Sequence, residues 1–312
     1  MHVVKEAQTS SRIEGTRTSI DEAVLPEEQI TPEKRDDWHE VNNYVEAVNY
    51  AIAELHSLPL SNRLLRQTHT ILMRGVRGQH KQPGEFRISQ NWIGGSSLAD
   101  AAFIPPHHDN VPELMGDLEK FWHNEAIALP HLIRVAISHY QFETIHPFLD
   151  GNGRIGRLLI PLYLVSNSLL AKPSLYLSDF FERNRGSYYD ALTRVRTSGD
   201  LIHWVRFFLQ GVAETSIKGR ETFRKILALR TDAEQRILSL GKRTPNAHTA
   251  LNLLYSRPII AAANLEQALG VSTPTAQALI KELVRLGILS EITGQKRARL
   301  YSFKSYLDLF LG

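Results

Sequence analysis

The sequence contains no cysteine. Disulfide frameworks and thiolate-bound zinc are thereby excluded, and nothing in the composition argues for secretion. A long apolar run is also missing. The longest, Leu158 to Val165, falls far short of the roughly 20 residues that a membrane-spanning helix needs, and the opening Met-His-Val-Val-Lys-Glu-Ala has no apolar signal core. Strong overall charge is lacking too, with 36 Lys+Arg against 33 Asp+Glu. These absences set the expectation of a soluble, cytoplasmic protein with no membrane partner. What is present is a chain of 312 residues, 43% of them hydrophobic, enough for a sizeable core and about two domains. The charge is unevenly placed: residues 215–312 carry 15 Lys+Arg against 7 Asp+Glu, so the C-terminal third is the candidate for an anionic partner.

One stretch concentrates unusual chemistry, Ile145-His-Pro-Phe-Leu-Asp-Gly-Asn-Gly-Arg-Ile-Gly-Arg157. Leu132, Val135, Ala136, His139 and Phe142 before it, and Ile155, Leu158, Leu159 and Leu162 after it, recur at helical spacing, so the stretch reads as helix, tight turn, helix. Gly151 and Gly153 remove the Cβ atoms that keep a ligand off the backbone, and with Asn152 they form an anion-binding nest where the second helix begins. Arg154 and Arg157, three apart, are expected to reach different phosphates of one ligand. Asp150 offers a hard oxygen to the Mg²⁺ that accompanies a nucleoside triphosphate. His146 titrates near neutrality and stands beside the nest, where it could take a proton from an attacking hydroxyl.

These residues match the pattern HPFx(D/E)GNGRxxR at every fixed position, and the chain resembles the Fic (Fido) family, most of whose members transfer AMP from ATP to a protein hydroxyl. The resemblance implies an ATP–Mg²⁺ site, His146 as base, Asp150 on the metal, Gly151, Asn152, Gly153, Arg154 and Arg157 on the phosphates, and Phe148 packed inward. It also gives meaning to Ser10-Ser-Arg-Ile-Glu-Gly15, which matches the family's (S/T)xxxE(G/N) inhibitory pattern at Ser10, Glu14 and Gly15. In relatives that carry it, the glutamate pairs with the last arginine of the signature, here Arg157. On the residues alone, Glu14 closes a helix over 3–14, where the helix dipole disfavours a carboxylate and a cationic partner is wanted. A solvent-facing helix end is the plain alternative.

Along the chain, Trp38–His56, Ser61–Met73 and Glu113–His123 read as core helices. Gly84 to Ile93 changes to a two-residue period and reads as a short hairpin or extended flap over about 84–95. In Fic proteins the corresponding flap carries the target segment, which implies Gly84, Arg87, Ile88 and Asn91 as target-binding residues. His107, His108 and Asp109 invite a metal reading, but adjacent histidines face one ion less readily than residues four apart on a helix. Pro161 requires the signature helix to kink or break. Arg185, Tyr188 and Tyr189 resemble the family's base-binding region, Tyr189 ahead of Tyr188, while aromatic pairs are also ordinary core. Leu201–Thr215 closes the bundle.

The expected organisation is mainly α: a Fic core with a small flap over residues 1–215, a linker helix over 216–246, and a domain over 247–312. That last part reads as short helix, short helix, turn, helix and hairpin, and resembles a winged helix-turn-helix. Ser272 is the N-cap of its recognition helix, and Lys296, Arg297 and Arg299 lie by the wing. DNA contact through residues 272–300 is one use of such a module, and dimer or protein docking is another; a homodimer follows by analogy alone. Three readings stay open: an AMP transferase restrained by Glu14, AMP removal using Glu14 to activate water, and a DNA-binding regulator with an ATP-sensing site. The sequence names no target protein.

Overall fold

The computed structural model describes residues 1–75, 79–295 and 298–311. In chain order its elements are α1 (His2–Ile13), α2 (Ile20–Ala23), α3 (Arg35–Glu54), α4 (Asn62–Leu72), α5 (Val111–His123), α6 (His131–Ile145), α7 (Asn152–Ser166), α8 (Ser178–Arg183), α9 (Arg185–Ser198), α10 (Leu201–Leu238), α11 (Thr244–Ser256), β1 (Ile259–Ala261), α12 (Ala262–Leu269), α13 (Thr273–Arg285), β2 (Ser290–Glu291), β3 (Leu300–Ser302) and α14 (Lys304–Leu311). The fold is mainly α. Packing divides it into two units, one of residues 6–19 and 30–217, the other of 1–5, 20–29 and 218–312.

The larger unit is built on two helix pairs, α3 with α4 and α6 with α7, with α5 against α6. Each pair follows from its apolar periodicity. Val41, Tyr44, Ala47, Val48 and Ala51 line the buried side of α3, and Leu64, Leu65, Thr68 and Leu72 that of α4, which Ser61 opens by accepting the Leu64 N–H at 3.3 Å. Helix α7 is different, because it is buried on nearly every side from Ile155 to Leu164. Each fully buried leucine there stabilises the fold by roughly 1.5–3 kcal/mol, which makes α7 the axis that holds the residues just before it. It runs unbroken through Pro161, whose missing N–H leaves the Arg157 carbonyl without its usual helical donor. The expected kink or break at Pro161 is therefore absent as a break, the surrounding packing holding the helix together.

The stretch 84–95 contains no strand. Its one β-bridge joins Ile93 to Phe103, so the two arms of the flap meet farther along than expected. The Arg87 backbone N–H, which a ladder would use, donates instead to the Pro147 carbonyl at 2.8 Å.

In the second unit three strands form an antiparallel sheet in the order β1-β3-β2, with Ile260 opposite Tyr301 and Glu291 opposite Tyr301 from the other side. Leu251, Leu254, Leu265, Ile280, Leu283, Phe303 and Phe310 fill its core together with Ala233 and Ile237 of α10 and Ile20 of α2. The hairpin and the helices before it lie near the expected places, whereas β1 and α14 were not anticipated. Ser272 precedes α13 but makes no side-chain cap; its hydroxyl bonds the Thr275 hydroxyl at 3.0 Å. Helix α10 runs unbroken through 215, and the division into units falls inside it at 217/218, two residues beyond the expected end of the core, with a further division inside α1 at 5/6. Lys296 and Arg297 lie outside the described residues, and Arg299 donates to the Gln295 carbonyl at 2.7 Å.

Candidate active site

Helix α6 ends on His146, which adopts a left-handed backbone at φ +51°. A non-glycine residue there is strained and persists only if its surroundings hold it. They do so through the carbonyls. Arg87 is buried and its Nε donates to the His146 carbonyl at 3.0 Å, its other nitrogens reaching the carbonyls of Ser89 and Pro106. Asn91 Nδ2 donates to the carbonyls of His146 and Phe148 at 3.2 and 3.0 Å. The Arg87 N–H closes the set on Pro147 at 2.8 Å.

The other side of the turn is clasped by Asn152. Its Oδ1 accepts the Phe148 N–H and its Nδ2 donates to the Phe148 carbonyl, both at 2.8 Å. Phe148 points inward as expected and stacks on His69 with 3.8 Å between ring centres. The tautomer of His69 follows from its partners: Nδ1 accepts the Gly84 N–H at 2.8 Å, so Nε2 carries the proton and donates to the Asp150 carbonyl at 3.0 Å. Burial pushes the His69 imidazole down to about 4, which keeps it neutral in that role. Gly151, at φ +75°, turns the chain into α7, and the first-turn N–H groups of Asn152, Gly153 and Arg154 have no partner inside the helix.

Arg157 leaves α7 one turn on and is buried. Its Nε donates to the Ser10 hydroxyl at 2.8 Å, and its Nη2 donates to the Ser10 carbonyl at 3.0 Å and to Glu14 Oε1 at 2.6 Å. Glu14 sits one residue past α1, in a turn closed by Gly15 at φ +106°. Burial alone would raise its carboxyl; the Arg157 charge and hydrogen bond, with Arg154 and His146 behind them, bring it below the usual range. A Cβ at Gly153 would collide with Glu14 Oε1, so only glycine there lets the carboxylate lie over the turn.

A cavity of about 300 Å³ opens on this cluster, lined by Glu14, Glu143, His146, Gly151, Asn152, Gly153, Arg157, Tyr188 and Tyr189 among others. Burial lowers the His146 imidazole to about 4, with Glu14 and the Glu143 backbone opposing it, so it is neutral at pH 7. Tyr188 is fully buried. Its hydroxyl donates to His139 Nε2 at 2.9 Å, because His139 Nδ1 gives its proton to the Gly156 carbonyl at 2.8 Å. Tyr189 is 39% exposed, with the Arg185 guanidinium 5.9 Å from its ring centre, and offers the open aromatic face.

Several expected residues sit differently. Arg154 does not join Arg157 at one cavity. It turns toward α3 and α4, where Nη1 lies 3.8 Å from Glu40 and Nη2 3.6 Å from Asp150, in a neighbouring cavity of about 250 Å³. Carboxylates on one side and Ser10 with Glu14 on the other draw the two long side chains apart. Asp150 lines both cavities, and its Oδ1 accepts the Gly151 N–H at 2.6 Å. The Asn152 side chain is committed to the turn, which leaves its N–H for a ligand. Of the four flap residues, Ile88 alone presents its side chain outward, 71% exposed; Gly84, Arg87 and Asn91 brace the turn from behind. The sequence reading missed His69, Glu143 and Arg196, whose guanidinium covers the Phe103 ring at 3.9 Å and reaches the Glu143 carbonyl at 3.2 Å. His107 Nδ1 and His108 Nε2 do converge on the Asp109 carboxylate, at 3.3 and 3.5 Å, so adjacency in sequence did not keep them apart.

Comparison with known proteins places this geometry. The sequence matches the Fic/DOC family over residues 59–164 and the Fic/DOC family N-terminal region over residues 1–53, together just over half of the chain. It is 30% identical to the protein adenylyltransferase Fic of Drosophila erecta over 214 residues, which is 67% of this chain and 37% of that protein. Over 125 residues it is 37% identical to the protein adenylyltransferase Fic of Culex quinquefasciatus, 40% of this chain and 22% of that one. The chain thus spans between about a fifth and a little over a third of these relatives' length. Among solved structures, a Fic family protein from Desulfovibrio desulfuricans shares the fold at a TM-score of 0.59 and 23% identity, over 96% of this chain and 86% of that one. Residues of the site apart, the matched segments contain both the Glu14 turn and the whole loop from His146 to Arg157, and the chain belongs to the Fic/DOC family.

Proposed function

We propose that the chain is a protein adenylyltransferase, moving AMP from ATP to a Ser, Thr or Tyr hydroxyl of a target protein or of itself, and that Glu14 restrains it. The observation that carries this reading is the clasp of Ser10 and Glu14 on Arg157, set beside a neutral His146 in one cavity. The name protein adenylyltransferase borne by the curated relatives supports it. In this reading His146 takes the proton of the target hydroxyl as its oxygen bonds the α-phosphorus. The bond from the α-phosphorus to the bridging oxygen breaks, and pyrophosphate leaves. The N–H groups of Asn152 and Gly153 at the start of α7 stabilise the charge on the transferred phosphate, and Arg157 takes the far end of the polyphosphate once Glu14 has left it. Tyr189 offers the face on which adenine stacks. Asp150, a half-exposed hard-oxygen donor at the mouth of both cavities, fits Mg²⁺, which neutralises phosphate charge when bound. Arg154, lying beside Asp150, is placed to answer that same charge.

The test is intact mass after incubation with Mg²⁺ and ATP. Glu14→Gly is expected to gain AMP on itself, or to label a protein in a lysate, well beyond wild type, and adding His146→Ala is expected to abolish it. Absence of both signals in Glu14→Gly would overturn the transferase.

A second reading concerns the C-terminal unit. The order α11, β1, α12, α13, β2, β3 with the sheet order β1-β3-β2 supports the reading of this unit as a winged helix, with duplex DNA as its partner through residues 272–300. DNA binding that falls steeply with salt and survives His146→Ala would favour it.

A further inference from the structure

Glu143 lies on α6, one turn before His146, and lines the same cavity. It is 6% exposed, and its Oε1 makes no hydrogen bond. The carboxyl is admitted by a glycine, since a Cβ at Gly156 on α7 would collide with Oε1. A buried, unpartnered carboxyl group costs free energy, the more so when ionised. The groups facing it are Glu14 just past α1, Arg157 from α7, Arg196, Tyr188 and Tyr189 from α9, and His146 at the end of its own helix. Burial first, and the Glu14 charge with it, raise Glu143 to about 7 against the pull of Arg157 and Arg196. His146, lowered to about 4, is already neutral, whereas Glu143 changes charge near pH 7. Its contrast is Glu6, also buried and near Arg157, whose Oε1 accepts the hydroxyls of Ser178 and Tyr44 and which does not line the cavity.

A polyphosphate entering this cavity brings more negative charge than the Glu14 carboxylate it displaces. An ionised Glu143 would repel it, whereas a neutral one offers an O–H to an acceptor. We propose that Glu143 acts as a neutral carboxylic acid that donates to a phosphate oxygen of the bound nucleotide, so that nucleotide binding takes up a proton. The inference rests on the nucleotide reading of the cavity and adds a specific residue and a linkage to it. The sign is set by the charges: bound phosphate favours the protonated form. Affinity is therefore flat below the free-state pKa of Glu143 and falls above it, by up to about tenfold per pH unit.

The experiment is calorimetric binding of Mg²⁺–ATP to the full chain carrying Glu14→Gly and His146→Ala, which opens the site and prevents turnover. Measured at pH 6, 7 and 8 in two buffers of different ionisation heat, it gives both affinity and protons taken up. In that background we expect affinity to fall at least several-fold from pH 6 to pH 8, with net proton uptake at pH 8. Adding Glu143→Gln, neutral and still a donor, should abolish the uptake and hold the pH 6 affinity at pH 8. Adding Glu143→Ala should bind weakly at every pH. Retention of the uptake in Glu143→Gln, or binding by Glu143→Ala as tight as by Glu143→Gln, would overturn the proposal while leaving the nucleotide site intact. Failure of the background itself to bind Mg²⁺–ATP would overturn both.

Discussion

Arg157 Nη2 donates to Glu14 Oε1 at 2.6 Å, across 143 positions of chain. The guanidinium is buried while the Glu14 side chain is 38% exposed, so the pair lies at the cavity surface with its cation inside. Removing the carboxylate leaves the cation with its two Ser10 bonds but no counter-charge, and the expected cost is real but moderated by solvent, roughly 1–2 kcal/mol. Glu14→Gly is therefore expected to lose that much stability in urea unfolding even as it gains activity. An unchanged midpoint would mean that the pair is held by the rest of the fold without contributing to it.

Ser10 is the second half of the clasp. Its hydroxyl takes Arg157 Nε, and its carbonyl takes Nη2 whatever the side chain. Ser10→Ala deletes one of three bonds, worth about 1–1.5 kcal/mol with a charged donor. We expect AMP incorporation between wild type and Glu14→Gly, near a five- to tenfold rise over wild type, read by intact mass at fixed time. A rate equal to wild type would assign the restraint to Glu14 alone.

Arg87 holds the carbonyl of His146 from behind the turn. Arg87→Ala leaves the carbonyls of His146 and Pro106 without their cationic donor inside the protein and frees a strained residue to relax. The prediction is a loss of several kcal/mol in stability. In the Glu14→Gly background kcat should fall at least tenfold while the KM for ATP changes little. Arg87→Lys should not restore it, because a point ammonium cannot serve three carbonyls fixed around a planar fork. A KM effect for the protein target alone would return Arg87 to the role its place in the flap suggests.

Much of this was legible in the sequence, and the pattern of what was not is physical. Fixed spacing across one turn brings His146, Gly151, Gly153 and Arg157 together whatever surrounds them, and the Ser10–Glu14 spacing puts one acceptor in the last turn of α1 and the other just past its end. Directions of long side chains depend on distant charges: Arg154 follows Glu40 of α3, which no local pattern of α7 encodes, as well as Asp150 four residues before it. His69 enters from α4, 81 positions from the carbonyl it holds. The two-residue period over 84–93 is real in sequence, yet the Arg87 backbone N–H is taken by the Pro147 carbonyl, 60 positions away, and no strand forms there. Strand β1 is three residues long, too short to carry a period, and α10 runs on through 215 because neither Gly211 nor Gly219 is enough to stop a packed helix.

Stability should depend on pH in a direction set by Glu143 and Glu6. Burial raises them to about 7 and about 6 from an ordinary 4.5. A carboxyl whose folded pKa lies above its unfolded one contributes stability that is whole below about pH 4.5 and is lost as pH climbs through the folded value. Unfolding free energy is thus expected to decline between pH 5 and pH 8 by roughly 3 kcal/mol on account of Glu143 alone. Glu143→Gln should flatten that part of the profile and stabilise the protein at pH 8. A mutant profile parallel to wild type would show that the carboxyl finds a partner or water in solution.

Gly153 gives a test that does not depend on catalysis. A methyl group there meets Glu14 Oε1 and lies 2.9 Å from Arg157 Nη1, so Gly153→Ala must push the carboxylate off the turn or strain the helix start. Alanine is otherwise the better helix former by up to about 1 kcal/mol. In wild type the clash should dominate, and Gly153→Ala is expected to destabilise by about 1–3 kcal/mol. With Glu14→Gly already made, the principal obstacle is gone and only the flexible end of Arg157 remains to give way, so the same change should be close to neutral. The two substitutions should therefore be non-additive by at least 1 kcal/mol in a double-mutant cycle read by urea unfolding, as residues in contact are. Additivity within a few tenths of a kcal/mol would mean that Glu14 does not lie over Gly153 in solution, and the clasp on Arg157 would go with it.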